Sequence, residues 1–78
     1  MDTQSDLLAL KPGQSGIISG LKENVYTSKL MALGVLPKAT IKMVRKAPFG
    51  KVFYIKLDDH QLAVREEEAK TVIIEEVI

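Results

Sequence analysis

The stretch Thr40-Ile41-Lys42-Met43-Val44-Arg45-Lys46-Ala47-Pro48-Phe49-Gly50-Lys51-Val52-Phe53-Tyr54-Ile55-Lys56-Leu57 decides the fold. Both halves alternate with period two, the pattern of a strand with one face on a core. In the first half Ile41 and Met43 share a face, with Lys42, Val44 and Lys46 opposite. In the second half Phe53, Ile55 and Leu57 point inward, with Val52, Tyr54 and Lys56 outward. Between them Ala47-Pro48-Phe49-Gly50 has proline second and glycine fourth. That order fits a type I turn followed by a left-handed glycine bulge, so the stretch reads as a β-hairpin.

Working outward, Asp58-Asp59 makes the next turn, and His60 to Arg65 brings Leu62 and Val64 inward as a third strand. Glu66 to Lys70 is long enough for one helical turn, with acids at its start where the helix dipole favours them. Thr71 to Val77 is a β-branched closing strand. Upstream, Lys11-Pro12-Gly13 is a turn, and Ser15 to Leu21 reads as a strand in which Gly16 and Gly20 allow bulges or close backbone approach. Asn24 to Gly34 reads as a helix. Asn24 or Thr27 can cap its start, and Tyr26, Leu30 and Leu33 fall on one face. Gly34 suits the left-handed stop, Val35 can fold back onto Leu30, and Pro37 bars continuation. A helix this short needs docking to exist in water. The expectation is therefore a mainly β domain, a small barrel of about five strands with one short α-helix after the first strand. Closure removes exposed strand edges.

Composition supports this and excludes a good deal. The chain has 78 residues, so it holds one domain, taken as 1–78 with 1–5 and the last two residues frayed. Domains of this size bury only about 60% of the surface their unfolded chain exposes, so the core has little to spare. The absence of cysteine excludes disulfides, thiolate catalysis, iron–sulfur clusters and cysteine-ligated zinc. No leader pattern begins the sequence, and its apolar runs fall far short of the roughly 20 residues a membrane-spanning helix needs. A cytoplasmic protein that does not insert into the membrane is expected.

The net charge of +1 gives no global electrostatic footprint, yet the charges are segregated. Lys38, Lys42, Arg45, Lys46, Lys51 and Lys56 fall in a segment without acids, and the acids from Asp58 to Glu76 follow it. Such a basic hairpin could contact a phosphate or an acidic partner. Since a meander places neighbouring segments side by side, pairing of basic with acidic residues across the sheet is the reading preferred at this point. Catalytic chemistry has little to work with. His60 is the only imidazole and reads as a solvent-facing turn residue, because Asp58, Asp59 and His60 are consecutive and do not converge as metal ligands must. The run Gly16-Ile17-Ile18-Ser19-Gly20-Leu21-Lys22 has the wrong spacing for a phosphate-binding loop. Met43 reads as core, as do Tyr26 and Phe53. No cofactor, metal or catalytic residue is expected. What remains is surface: Phe49 at the hairpin tip, Met31 off the core stripe of its helix, and Leu36 after the helix stop. Either they tuck onto the barrel end or they form an apolar contact site for a protein.

The ordered set Leu7-x-x-Leu10-Lys11-Pro12-Gly13, Gly16-Ile17, Lys29-Leu30-Met31-Ala32-Leu33-Gly34-Val35-Leu36-Pro37, Ile41, Ala47-Pro48-Phe49-Gly50 and Leu62-Ala63-Val64-Arg65-x-x-Glu68-Ala69 resembles the FeoA family, over Leu7 to about Glu75. These are small cytosolic components of bacterial ferrous iron uptake. The resemblance implies an SH3-like β-barrel and a non-enzymatic accessory role. The implied partner is the cytoplasmic GTP-binding portion of the FeoB-type membrane transporter. The sequence departs from the family pattern at Lys29 (usually arginine), Lys38 (usually glycine, so that this turn changes type or carries strain), Val52 and Val64. The expected contact residues are Lys29, Met31, Leu36, Lys38, Phe49 and Lys51. Weak self-association through Met31 and Phe49 would be unsurprising. The alternative is a small-barrel nucleic-acid-binding module using Lys38 to Lys56, although stacking aromatics are few.

Overall fold

The alternation around Pro48 folds as its pattern dictates. The structure, a computed structural model, describes residues 5–58 and 60–78. Its strands are β1 (Ser5–Asp6), β2 (Ser15–Leu21), β3 (Thr40–Lys46), β4 (Val52–Lys56), β5 (Gln61–Arg65) and β6 (Val72–Val77). The helices are α1 (Thr27–Ala32) and α2 (Glu66–Thr71), with tight 3-10 turns at Leu7–Ala9 and Pro48–Gly50. All strand pairs are antiparallel, in the order β1-β6-β2-β3-β4-β5. Ile41, Met43, Phe53, Ile55 and Val64 fill one side of the sheet, joined by Ile18, Val72 and Ile74.

The fold class is the expected one, mainly β with a short helix following the first long strand. Several details differ. There are six strands, because Ser5 and Asp6 pair with Ile74 and Ile73. Of the segment expected to fray, residues 1–4 lie outside the described residues, but Ser5 is paired, and Ile78 N–H donates to the Ser15 carbonyl at 2.8 Å. The expected Glu66–Lys70 turn is a second helix, α2, one residue longer. The barrel also does not close by strand pairing. Among the described residues no ladder joins β1 to β5. Instead α2 touches β1, β4, β5, β6 and the Leu7–Ala9 turn, so a helix bridges the two edge strands. Buried Ala69 and Thr71 belong to α2, and fully buried Leu7 and Leu10 flank its partner turn.

β2 bulges at two points against β6, one of them between Ile18 and Gly20, as its glycines allow. Asp58 and His60 flank Asp59, which lies outside the described residues; the Leu57 N–H donates to the His60 carbonyl at 2.9 Å.

α1 is shorter than the expected Asn24–Gly34. Asn24 does not cap it as the residue preceding the helix; its Oδ1 accepts from the Tyr26 N–H at 2.8 Å, a side-chain turn that delays helix entry. The Thr27 hydroxyl accepts from the Asn24 N–H at 3.0 Å and donates to the Lys22 carbonyl. The end is as expected. Gly34 has φ +97°, its N–H donates to Met31 at 3.0 Å, and the Val35 N–H donates to Leu30 at 3.0 Å. This is the Schellman pattern, completed by contact between fully buried Leu30 and Val35. Leu33, expected in the core, is 40% exposed because the helix ends before it.

Candidate functional site

The six expected contact residues fall into two groups. Met31, Leu36 and Lys38 surround the C-terminal end of α1, with Lys29 on the helix itself. Phe49 and Lys51 form the β3–β4 tip. The sheet keeps the groups apart. Val52, beside the tip, pairs with Arg65, whereas Leu57 bonds to His60 at the far end of the same strand pair. His60 in turn reaches α1, its Nε2 lying 3.1 Å from the Leu33 carbonyl oxygen and placed to donate to it. Val52 to Leu57 spans roughly 17 Å at strand rise. The expectation that His60 is a turn residue holds, for it is exposed. Its role at the helix end was not legible, because 27 residues separate it from Leu33. A Cβ on Gly34 would sit 3.5 Å from the imidazole, in ordinary contact, so what demands glycine here is the positive φ rather than space.

At the helix end Met31, Leu33 and Leu36 are 43, 40 and 44% exposed, so they do not tuck onto the barrel. Lys38 adopts φ +73°, the left-handed conformation that favours glycine. Its N–H donates to the Ile18 carbonyl at 2.6 Å, which ties the strained turn to β2.

Among the described residues Lys29 is the one of the six with an ion-pair partner. Its Nζ donates to Glu68 Oε2 at 2.6 Å. Glu68 is buried on α2, and its Oε1 accepts from the Arg65 N–H at 2.8 Å, one half of a capping box. Burial pushes the Glu68 carboxyl up, but the Arg65 backbone N–H and the Lys29 ammonium together outweigh it and hold the group below its ordinary value. This bridge pins α1 to α2. An open cleft of about 290 Å³ lined by Tyr26, Lys29, Arg65, Glu67 and Glu68 contains the bridge, and a second, of about 310 Å³, is lined by Lys51, Val52, Arg65, Glu66 and Glu67.

At the hairpin tip Phe49 is 94% exposed and has φ 71°, ψ 4°. Those are the dihedrals of the third residue of a type II turn, so the expected type I geometry is corrected. The Gly50 N–H donates to Ala47 at 3.1 Å, closing the turn. The expected pairing of basic with acidic strands is also overturned. Lys42 lies opposite Lys56, Lys56 opposite Gln61, and Arg45 opposite Tyr54, with its guanidinium 4.2 Å from the ring centre. The reason is topological: the acids of β6 pair toward β1 and β2, and those at 66–68 are on α2.

Among the described residues no three His, Asp or Glu side chains gather as a metal site would require, and no helix is long and apolar enough to cross a membrane. The FeoA domain model matches residues 6–76. Of solved structures, a FeoA-like protein from Clostridium acetobutylicum is 23% identical over 97% of this chain and 90% of that one, with TM-score 0.87. FeoA of Stenotrophomonas maltophilia, solved with zinc and described as a prokaryotic SH3 domain protein and a candidate activating factor of ferrous iron transport, is 23% identical over 90% of this chain and 88% of that one, with TM-score 0.80. Iron(II) transport protein A of Clostridium thermocellum is 28% identical over 91% of this chain and 44% of that one, with TM-score 0.83. No curated protein matches at a significant level. With its model covering all but the first five and last two residues, the chain belongs to the FeoA domain family, and its sheet is of that family's SH3-like kind.

Proposed function

We propose that this protein is a non-enzymatic accessory factor of ferrous iron uptake that acts by contact with the cytoplasmic GTP-binding domain of a FeoB-type transporter. The observation that carries this reading is the apolar rim at the end of α1. Met31, Leu33 and Leu36 are each exposed by two-fifths or more beside Lys38, around the end of a helix held by Glu68 through Lys29 and by His60 at the Leu33 carbonyl. A rigid, partly apolar knob suits recognition by a larger protein. An adaptor changes a GTPase only by binding its two states unequally.

The nucleic-acid reading loses support from the same structure. Stacking needs several open rings. Phe53 is buried, Tyr26 packs half-buried against the core and Arg45 covers Tyr54, which leaves Phe49.

The test is titration of the protein against the transporter domain in its GTP-bound, GDP-bound and empty states. Binding in at least one state is expected, weakened about tenfold or more by Leu36→Glu, as for a contact near the centre of an interface. Failure to bind in every state, in lipid as well as in solution, removes the proposal.

A further inference from the structure

The hairpin tip combines three observations. Phe49 is almost wholly exposed at the apex of a turn, and a left-handed backbone fixes where it points. The flanking strands carry Lys42, Arg45, Lys46 and Lys56 and no acid. Among the described residues the ion pairs involve Lys29 and Lys70 instead; Arg45 and Lys46 are the cations of these strands nearest the tip, while Lys42 faces Lys56 at the hairpin's other end.

We propose that this tip docks on an anionic lipid surface, with the Phe49 ring wedged between headgroups and Arg45 and Lys46 against the phosphates. A protein interface needs on the order of 1,000 Å² with an apolar centre. One ring surrounded by cations offers neither. A lipid surface needs only a wedge and nearby positive charge. Lys51 contributes less, because Glu66 and Glu67 line the cleft beside it, so the attractive side is that of β3. The near-zero net charge hides this patch, since the topology moves the acids to β6 and α2. The contact is peripheral and involves one side chain, so it does not conflict with a chain too short in apolar runs to insert a segment. It is independent of the transporter reading.

The test uses the full chain and vesicles of phosphatidylglycerol in phosphatidylcholine, against phosphatidylcholine alone. The chain has no tryptophan, so Phe49→Trp supplies a single indole at the tip. Its emission should shift to the blue on anionic vesicles and be quenched by lipids brominated in the acyl chain. Co-sedimentation should weaken steeply as salt is raised. Lys46→Glu should lower vesicle partition about tenfold, and Lys51→Glu less, following the roughly additive attraction of each cation to an anionic leaflet. Phe49→Gly should lower partition while raising the unfolding midpoint, which separates the contact from any structural role of the ring. An unshifted, unquenched indole overturns the proposal. So does equal binding to neutral vesicles, or binding of single-stranded RNA without binding of vesicles. The assay contains no transporter, so its failure and that of the transporter titration are distinguishable.

Discussion

Lys38 and Phe49 have nearly the same backbone twist, with φ of 73° and 71°, yet their turns are held in opposite ways. At Lys38 the strained residue is stitched into the sheet, its N–H on Ile18 and that of Ala39 on Leu36. The helix beside it is tied by Leu30, by Lys29 to Glu68 and by His60. At Phe49 only the local bonds of the hairpin hold the turn, and the ring meets solvent. A left-handed non-glycine residue costs roughly 1–2 kcal/mol. In the first turn the packed surroundings offset that cost. In the second, among the described residues, the holding bonds are local ones and the strain stays with the hairpin, as the proposed lipid contact would require.

The largest expected contrast comes from truncating one side chain on each side. Leu30→Ala should destabilise by about 2–5 kcal/mol, because a fully buried leucine leaves a cavity. Phe49→Ala should change stability by less than about 0.5 kcal/mol. Denaturant unfolding of both variants measures this, and a comparable loss at Phe49 would erase the distinction. The next effect concerns the α1–α2 bridge. Glu68→Gln keeps an acceptor for Arg65 but loses the charge facing Lys29. It should cost about 1 kcal/mol, since Lys29 is 62% exposed and water screens the pair. A carboxyl held below its unfolded value stabilises above that value, ordinarily 4.5, and stops doing so as pH falls through its folded value. The advantage of the wild type over Glu68→Gln should therefore be constant near neutrality and shrink below about pH 4.5, as unfolding across a pH series would show. The smallest effect sharpens the comparison most. Phe49→Gly and Lys38→Gly should each stabilise by roughly 0.5–1 kcal/mol, the relief of left-handed strain less the entropy glycine loses on folding. A gain at Phe49 with none at Lys38 would show that the stitched turn has relaxed its strain and the free one has not.

Much of this was legible where the cause is local. Thr40–Lys46 alternates, Ser15–Leu21 carries glycines that tolerate bulges, and both are strands with the expected bounds. Gly34 stops α1 because its own dihedral allows it. Leu33 was misplaced because helical periodicity assumes the helix continues, and Asn24 and Gly34 leave it only six residues. The ion pair of Lys29 with Glu68 joins residues 39 apart, and no spacing rule reaches that far. The charge pattern misled for a related reason. Adjacency in sequence places β4 beside β5, but β6 crosses to the other side of the sheet, taking its acids with it. Of the contact residues, exposure of Met31, Leu36 and Phe49 follows from their positions, whereas their division between two ends depends on register.

The place of β6 between β1 and β2 also has a kinetic side. Its partner β2 is made about 50 residues earlier, a delay of roughly 3–10 s at ordinary rates of translation. Until residues 72–77 pair, β2 has a free flank and Ile18 lacks its cover. They thus act as a late latch: the sheet is complete only when this strand closes against β2 and seats β1 beside it.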